Sequence, residues 1–193
     1  NQLNGAGGID TLDLHSTNAG ATITTATATS AEIGIDTLSN IENYIGSQGA
    51  DTITLNGGNN VVDGQGGNDT ITGGTGADIM SGGTGDDTFD FNALNESSGA
   101  NVDTINGFQG AGVAGGDVID LLTIDANGGL GGNQAFNFIG SAAFSAAGQL
   151  RAEIDAINNV TIIQGNTNAN TGTIEFELRL TGQHALFTSD FIL

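Results

Sequence analysis

Residues 46–90 read GSQGADTIT, LNGGNNVVD, GQGGNDTIT, GGTGADIMS and GGTGDDTFD, five contiguous nine-residue units beginning at Gly46, Leu55, Gly64, Gly73 and Gly82. The fourth position is always glycine (Gly49, Gly58, Gly67, Gly76, Gly85), and Gly74 and Gly83 add a second glycine at the second position of the last two units. The sixth position is Asp51, Asn60, Asp69, Asp78 or Asp87, and the eighth is Ile53, Val62, Ile71, Met80 or Phe89. Glycine enters left-handed backbone conformations that other residues resist, so the first six residues of a unit make a turn. The last three alternate polar, apolar, polar, which is the period of a short half-buried strand.

Short strands joined by recurring tight turns wind into a solenoid, and the turns stack into columns. A column of aspartates is unstable by itself. Like charges one strand spacing apart, ~5 Å, repel by roughly 3 kcal/mol per pair at an effective dielectric near 20. Carboxylates plus turn carbonyls form a hard, flexible oxygen cage that suits Ca²⁺; Mg²⁺ demands stricter octahedral geometry and Zn²⁺ prefers His or Cys.

This pattern resembles the RTX, or hemolysin-type, calcium-binding repeat GGxGxDxUx, in which U is a large apolar residue; GGTGADIMS and GGTGDDTFD match every specified position. The resemblance implies an all-β fold, a parallel β-roll in which successive units alternate between two sides. Asp51, Asp69 and Asp87 then share one ladder, and Asn60 and Asp78 the other. It further implies several Ca²⁺ ions held between same-side turns by sixth-position carboxylates and glycine-turn carbonyls. The best sites are expected between Asp51 and Asp69 and between Asp69 and Asp87, and a weaker one beside the neutral Asn60.

Outside the array, GAGGIDTLD (residues 5–13) and AEIGIDTLS (31–39) read as decayed units with Asp10 and Asp36 at the sixth position. The Thr/Ala tract of residues 21–31 reads as one strand. DTINGF (103–108) and GDVIDL (116–121) resemble the segment that closes such arrays. Asp103, Asp117 and Asp120 there read equally as ion ligands or as turn caps. FNFIGSAAFSAAGQLR and IEFELRLTG resemble the C-terminal region of serralysin-type exoproteins, and Ile174, Phe176, Leu178 and Leu180 alternate as the buried face of a strand. Asn166, Asn168, Asn170 and Gly172 have calcium-loop spacing but too little charge, and an Asx-rich turn is the better reading. The expected organisation is therefore an irregular solenoid lead-in over 1–45, the calcium-binding roll over 46–91, and a cap with a secretion-signal region over 92–193.

Composition narrows the partners. The 193 residues include 2 Lys+Arg against 22 Asp+Glu, a formal charge of -20, with 33 Gly and no Pro, Cys or Trp. Nucleic acid and anionic membranes need clustered cations, which this chain lacks; acidity alone would also suit a halophile. No stretch reaches the ~18 apolar residues of a membrane span, and a chain starting at Asn1 without Met reads as part of a longer polypeptide. The end, Ser189–Leu193, an acidic residue followed by apolar ones, resembles the uncleaved signal of type I secretion substrates. That implies a transient exporter partner and an extracellular or cell-surface location outside a Gram-negative bacterium.

No catalytic constellation is present: HExxH, GxSxG, GxxxxGK and a Cys nucleophile are all missing, and His15 and His184 are isolated. This stretch is therefore read as non-enzymatic. Its Ala, Thr, Gly and Asn richness favours a structural or surface protein, an S-layer subunit, adhesin or filament with a capacity for self-assembly. The alternative is the folding and secretion module of a metalloprotease, lipase or alginate epimerase.

Overall fold

The computed structural model describes residues 2–112 and 115–193. Turn and strand alternate through the array as the nine-residue period dictates, giving β7 (Thr52–Thr54), β8 (Val61–Asp63), β9 (Thr70–Thr72), β10 (Ile79–Ser81) and β11 (Thr88–Asp90). Each strand pairs in parallel with the next but one: Ile53 lies opposite Ile71, Phe89 opposite Ile71, and Met80 opposite Val62. Two units thus make one full turn of a β-roll, and its two walls face each other across the eighth-position side chains. Ile53, Ile71, Met80 and Phe89 are 0% exposed and Val62 1%. Complete burial of side chains of this size stabilises by about 1.5–3 kcal/mol each.

The walls extend well past the array. The first contains, in spatial order, β1 (Gln2–Asn4), β5 (Gly34–Ser39), β4 (Thr27–Ser30), β3 (Ala21–Thr24), β7, β9, β11, β13 (Val118–Asp120) and β18 (Phe191–Ile192). The second runs β14 (Asn137–Phe138), β15 (Gln149–Asp155), β16 (Val160–Asn166), β17 (Phe176–Thr181), β12 (Asp103–Asn106), β10, β8, β6 (Asn43–Ile45) and β2 (Thr11–Asp13). Both sheets run through the intervals 1–45, 46–91 and 92–193 without a break.

Several local expectations change. The Thr/Ala tract is an antiparallel hairpin of β3 and β4, because Thr24 Oγ1 accepts the Thr27 N–H at 2.9 Å and turns the chain. Residues 103–108 and 116–121 supply further rungs, β12 stacking on β10 and β13 on β11. In the closing strand Phe176, Leu178 and Leu180 are fully buried, whereas Ile174 precedes β17 and stays 43% exposed. The C-terminal end is closed by Phe138 against Phe191, ring centroids 4.9 Å apart, and by Phe91 edge-on to Phe176.

Candidate metal centre

The turns are shaped by glycines in left-handed backbone, among them Gly76 (φ 138) and Gly85 (φ 132) at the fourth position. A side chain is barred there twice over, since a Cβ at Gly85 would lie 1.9 Å from the Gly67 carbonyl oxygen. Gly58, Gly67, Gly74 and Gly83 also have positive φ, but Gly49 does not. Instead, a Cβ on Gly49 would meet the Asn18 carbonyl at 2.6 Å.

This stacking aligns the sixth-position side chains in two ladders. On one wall the Ala21 N–H donates to Asp51 Oδ1 at 2.6 Å, Asp51 N–H to Asp69 Oδ1 at 2.8 Å, Asp69 N–H to Asp87 Oδ1 at 2.8 Å, and Asp87 N–H to Asp117 Oδ1 at 3.1 Å. On the other, Asn60 N–H donates to Asp78 Oδ1 at 2.8 Å and Asp78 N–H to Asp103 Oδ1 at 2.7 Å. Each bond ties one rung to the next through a carboxylate less than a tenth exposed.

One oxygen of each carboxylate is used in this way. The other is buried without any hydrogen-bond partner in Asp69, Asp78, Asp87 and Asp103. In Asp69, Asp78 and Asp87 it faces the glycine that opens its own unit: a Cβ on Gly64 would lie 2.2 Å from Asp69 Oδ2 and 2.5 Å from the Gly82 carbonyl oxygen. The same Cβ would lie 2.5 Å from Asp78 Oδ2 at Gly73 and 2.0 Å from Asp87 Oδ2 at Gly82. A partnerless buried anion beside a carbonyl is strongly unfavourable unless a cation is shared between them.

The electrostatics agree. Burial pushes the Asp69 carboxyl from 3.8 to about 7, against the lowering effect of the Asp51 N–H and helped by the charges of Asp51, Asp87 and Asp63. Burial likewise lifts Asp78 to about 6, Asp117 to about 6 and Asp103 to about 8, and raises Asp87. Neither arginine relieves the charge, since Arg151 pairs with Glu153 and Arg179 with Glu177, each at 3.0 Å.

Among the described residues no three His, Cys, Asp or Glu side chains converge into one cluster. Each candidate centre therefore holds one carboxylate, and beside Asp69 it also holds a turn carbonyl, that of Gly82. A hard oxygen-seeking cation fits this donor set, and the glycine cradle, closed by any Cβ, is the space beside it.

The expected site residues do not all behave alike. Asp51 is fully partnered, its Oδ2 accepting the Ser47 N–H at 2.6 Å and its Oδ1 the Ser47 hydroxyl at 2.7 Å. The rung expected to be among the best is thus already satisfied by a serine at the second position. Asn60 donates its side-chain amide to the Glu42 carbonyl at 2.9 Å. Asp10 Oδ2 is a partnerless buried oxygen facing Gly5, whose Cβ would lie 2.5 Å away, so the decayed unit 5–13 keeps the cradle. Asp36 lies in β5 opposite Ala28, outside both ladders. Of Asp103, Asp117 and Asp120, only Asp103 keeps a buried partnerless oxygen among the described residues. Asp117 accepts a second N–H, from Gln109 at 2.8 Å, and Asp120 caps Leu122 N–H at 2.9 Å.

Sequence reasoning missed Glu42, whose Oε2 accepts the Asp10 N–H at 2.9 Å. Reading the period one unit back from Gly46 gives TLSNIENYI, with Glu42 sixth and Tyr44 eighth. Tyr44 is 1% exposed. Asn166, Asn168 and Asn170 form a side-chain-bonded turn, with Asn166 Nδ2 donating to the Asn170 and Thr173 carbonyls at 2.8 and 3.0 Å.

Parallel walls, glycine turns repeating every nine residues and stacked buried carboxylates define a β-roll of the RTX class. The chain belongs to the family described as peptidase M10 serralysin C terminal, which matches residues 3–193. Among solved structures it is similar to the AlgE6R3 subunit from the Azotobacter vinelandii mannuronan C5-epimerase, with 25% identity, TM-score 0.48, and coverage of 98% of this chain and 82% of that one. It is also similar to the AlgE6R2 subunit of the same epimerase, with 19% identity, TM-score 0.46, and coverage of 94% and 92%. No curated protein matches the sequence. No helix among the described residues is long and apolar enough to cross a membrane.

Proposed function

We propose that this chain is a calcium-binding module of a secreted protein, unfolded at low calcium inside the cell and folding when it meets calcium outside. The observation that carries the reading is the set of five buried carboxylate oxygens without partners among the described residues, in Asp10, Asp69, Asp78, Asp87 and Asp103. Asp69 with the Gly82 carbonyl, and Asp78 and Asp87 beside the glycines that open their units, would hold the ions; Asp103 would do so at the end of the second ladder, and Asp10 at the N-terminal end. When bound, Ca²⁺ supplies positive charge between rungs that otherwise repel.

The chain's own part is to orient one carboxylate oxygen through the backbone N–H of the preceding rung and to exclude water from the other. Binding available only to the folded state becomes folding free energy. Membership of the serralysin C-terminal family supports a role outside the cell. Export through a type I exporter rests on the resemblance of Ser189–Leu193 to such signals. For the parent polypeptide we favour a structural or cell-surface protein that self-assembles, on the Thr, Ala, Gly and Asn richness; a secreted enzyme carrying this module is the reading that the family name supports.

The test is circular dichroism during removal of metal. EDTA is expected to strip the β signal and Ca²⁺ to restore it. An unchanged spectrum with all metal verifiably gone would overturn the reading.

A further inference from the structure

The unit 55–63 departs from its neighbours at two positions together, with Leu55 for the opening glycine and Asn60 for the aspartate. At Gly46, Gly64, Gly73 and Gly82 an added Cβ would lie 2.0 to 2.5 Å from the Oδ2 of the unit's own aspartate. Leu55 carries a real Cβ at the corresponding position, and its side chain is buried at 3% exposure within the apolar core. The other units have no side chain at this position beside their carboxylate, whereas this one does.

Asn60, 4% exposed, reverses the direction of its side-chain bond. Asp69 and Asp78 accept an N–H from the preceding rung, whereas Asn60 donates its amide to the Glu42 carbonyl at 2.9 Å. That carbonyl also accepts the Val61 N–H at 3.3 Å, and the Glu42 N–H turns away to the Asp10 carbonyl at 3.2 Å. An amide N–H thus points at a backbone carbonyl on the ladder where a cation would otherwise draw oxygens together. The remaining Asn60 oxygen is uncharged and partnerless, so this rung has no anion to neutralise.

We infer that unit 55–63 is an ion-free rung, in which the Leu55 side chain and the Asn60 amide take the place a calcium ion has in the neighbouring units. The two substitutions compensate each other: losing the carboxylate removes the need for the ion, and the leucine fills its space. The second ladder is consequently split, its ions confined to the Asp78–Asp103 side and to the Asp10 end. This inference rests on the calcium-binding reading above.

The test counts ions by native mass spectrometry, with calcium chloride as the probe, on the parent chain, Asn60→Ala, and the double variant Leu55→Gly/Asn60→Asp. Asn60→Ala is expected to bind as many ions as the parent, and the double variant one more. Loss of an ion in Asn60→Ala, or an unchanged count in the folded double variant, overturns the inference. The double variant restores the residue types of the neighbouring units, so it decides the matter even if Asn60→Ala does not fold. A parent chain that binds no calcium at all would instead sink the calcium-binding reading itself, an outcome distinct from both.

Discussion

Replacing Asp69 by Asn is expected to stabilise the calcium-free fold strongly and the calcium-loaded fold much less. The Asn oxygen still accepts the Asp51 N–H, which Asp69 Oδ1 holds at 2.8 Å, so the rung-to-rung bond survives. What changes is the charge on the atom facing Gly64 and the Gly82 carbonyl. Burial raises this carboxyl from 3.8 to about 7. Holding it ionised above pH 8 without a cation therefore destabilises the fold by roughly 3 pK units, or about 4 kcal/mol at ~1.4 kcal/mol each. Asp69→Asn removes that penalty, and in EDTA at that pH it should stabilise the chain by up to about 4 kcal/mol. With calcium at about 10 mM the gain shrinks to roughly 1–3 kcal/mol. Losing one site of ~0.1 to 1 mM affinity forfeits roughly 1.4–2.7 kcal/mol of linked stability. Circular dichroism measures both, as the β signal retained in EDTA and as urea unfolding in calcium. A variant less stable than the parent in EDTA as well as in calcium would refute the reasoning, because Asp69 would then be an ordinary structural acceptor.

The calcium-free fold should respond to pH in the same sense. Asp69, Asp78, Asp103 and Asp117 have folded values raised to between about 6 and about 8. Between the ordinary value near 4 and that range the folded state binds more protons than the unfolded one, so stability is fully present below pH 4 and lost as pH rises toward 8. The β signal by circular dichroism in EDTA at pH 5 and pH 8 tests this, and a larger signal at pH 8 contradicts it. Gly64→Ala is expected to cost a calcium ion without removing a carboxylate, because its Cβ falls 2.2 Å from Asp69 Oδ2; Gly7→Ala, with nothing within 4 Å, is the control, and equal ion counts for the two would contradict the cradle. Ser97→Ala removes the hydroxyl that accepts the Asp103 N–H at 2.9 Å and donates to the Glu177 carbonyl. It should destabilise by about 1–3 kcal/mol in chemical denaturation; a change below about 0.5 kcal/mol would count against that junction.

The repeat period carried the solenoid and its core, because each rung repeats the same turn chemistry at the same spacing, and the resemblance to the RTX repeat carried the alternation of sides. Legibility stopped where one side chain decides a hydrogen bond. Ser47 satisfies Asp51 through its own N–H and hydroxyl, a matter of turn geometry that a glycine-to-serine change in GSQGADTIT does not announce. Residues 98–106, SGANVDTIN, and 112–120, GVAGGDVID, keep the sixth-position Asp and eighth-position Ile of a unit. Insertions before each displace them from the register and hid their kinship with the array. The β3–β4 hairpin was missed for another reason. Thr and Ala suit a strand throughout residues 21–31, so propensity marked extended chain without marking where it reverses.

The bonds between same-side rungs join residues 18 apart, from Asp51 to Asp69 and from Asn60 to Asp78. Such a stack behaves as a zipper, with each tooth engaging only those beside it, and order can spread in either direction from wherever it first takes hold. Damage to one tooth is then felt chiefly by its immediate neighbours. The clasp is the aromatic end, where Phe138 meets Phe191 and joins the last strands of the two walls.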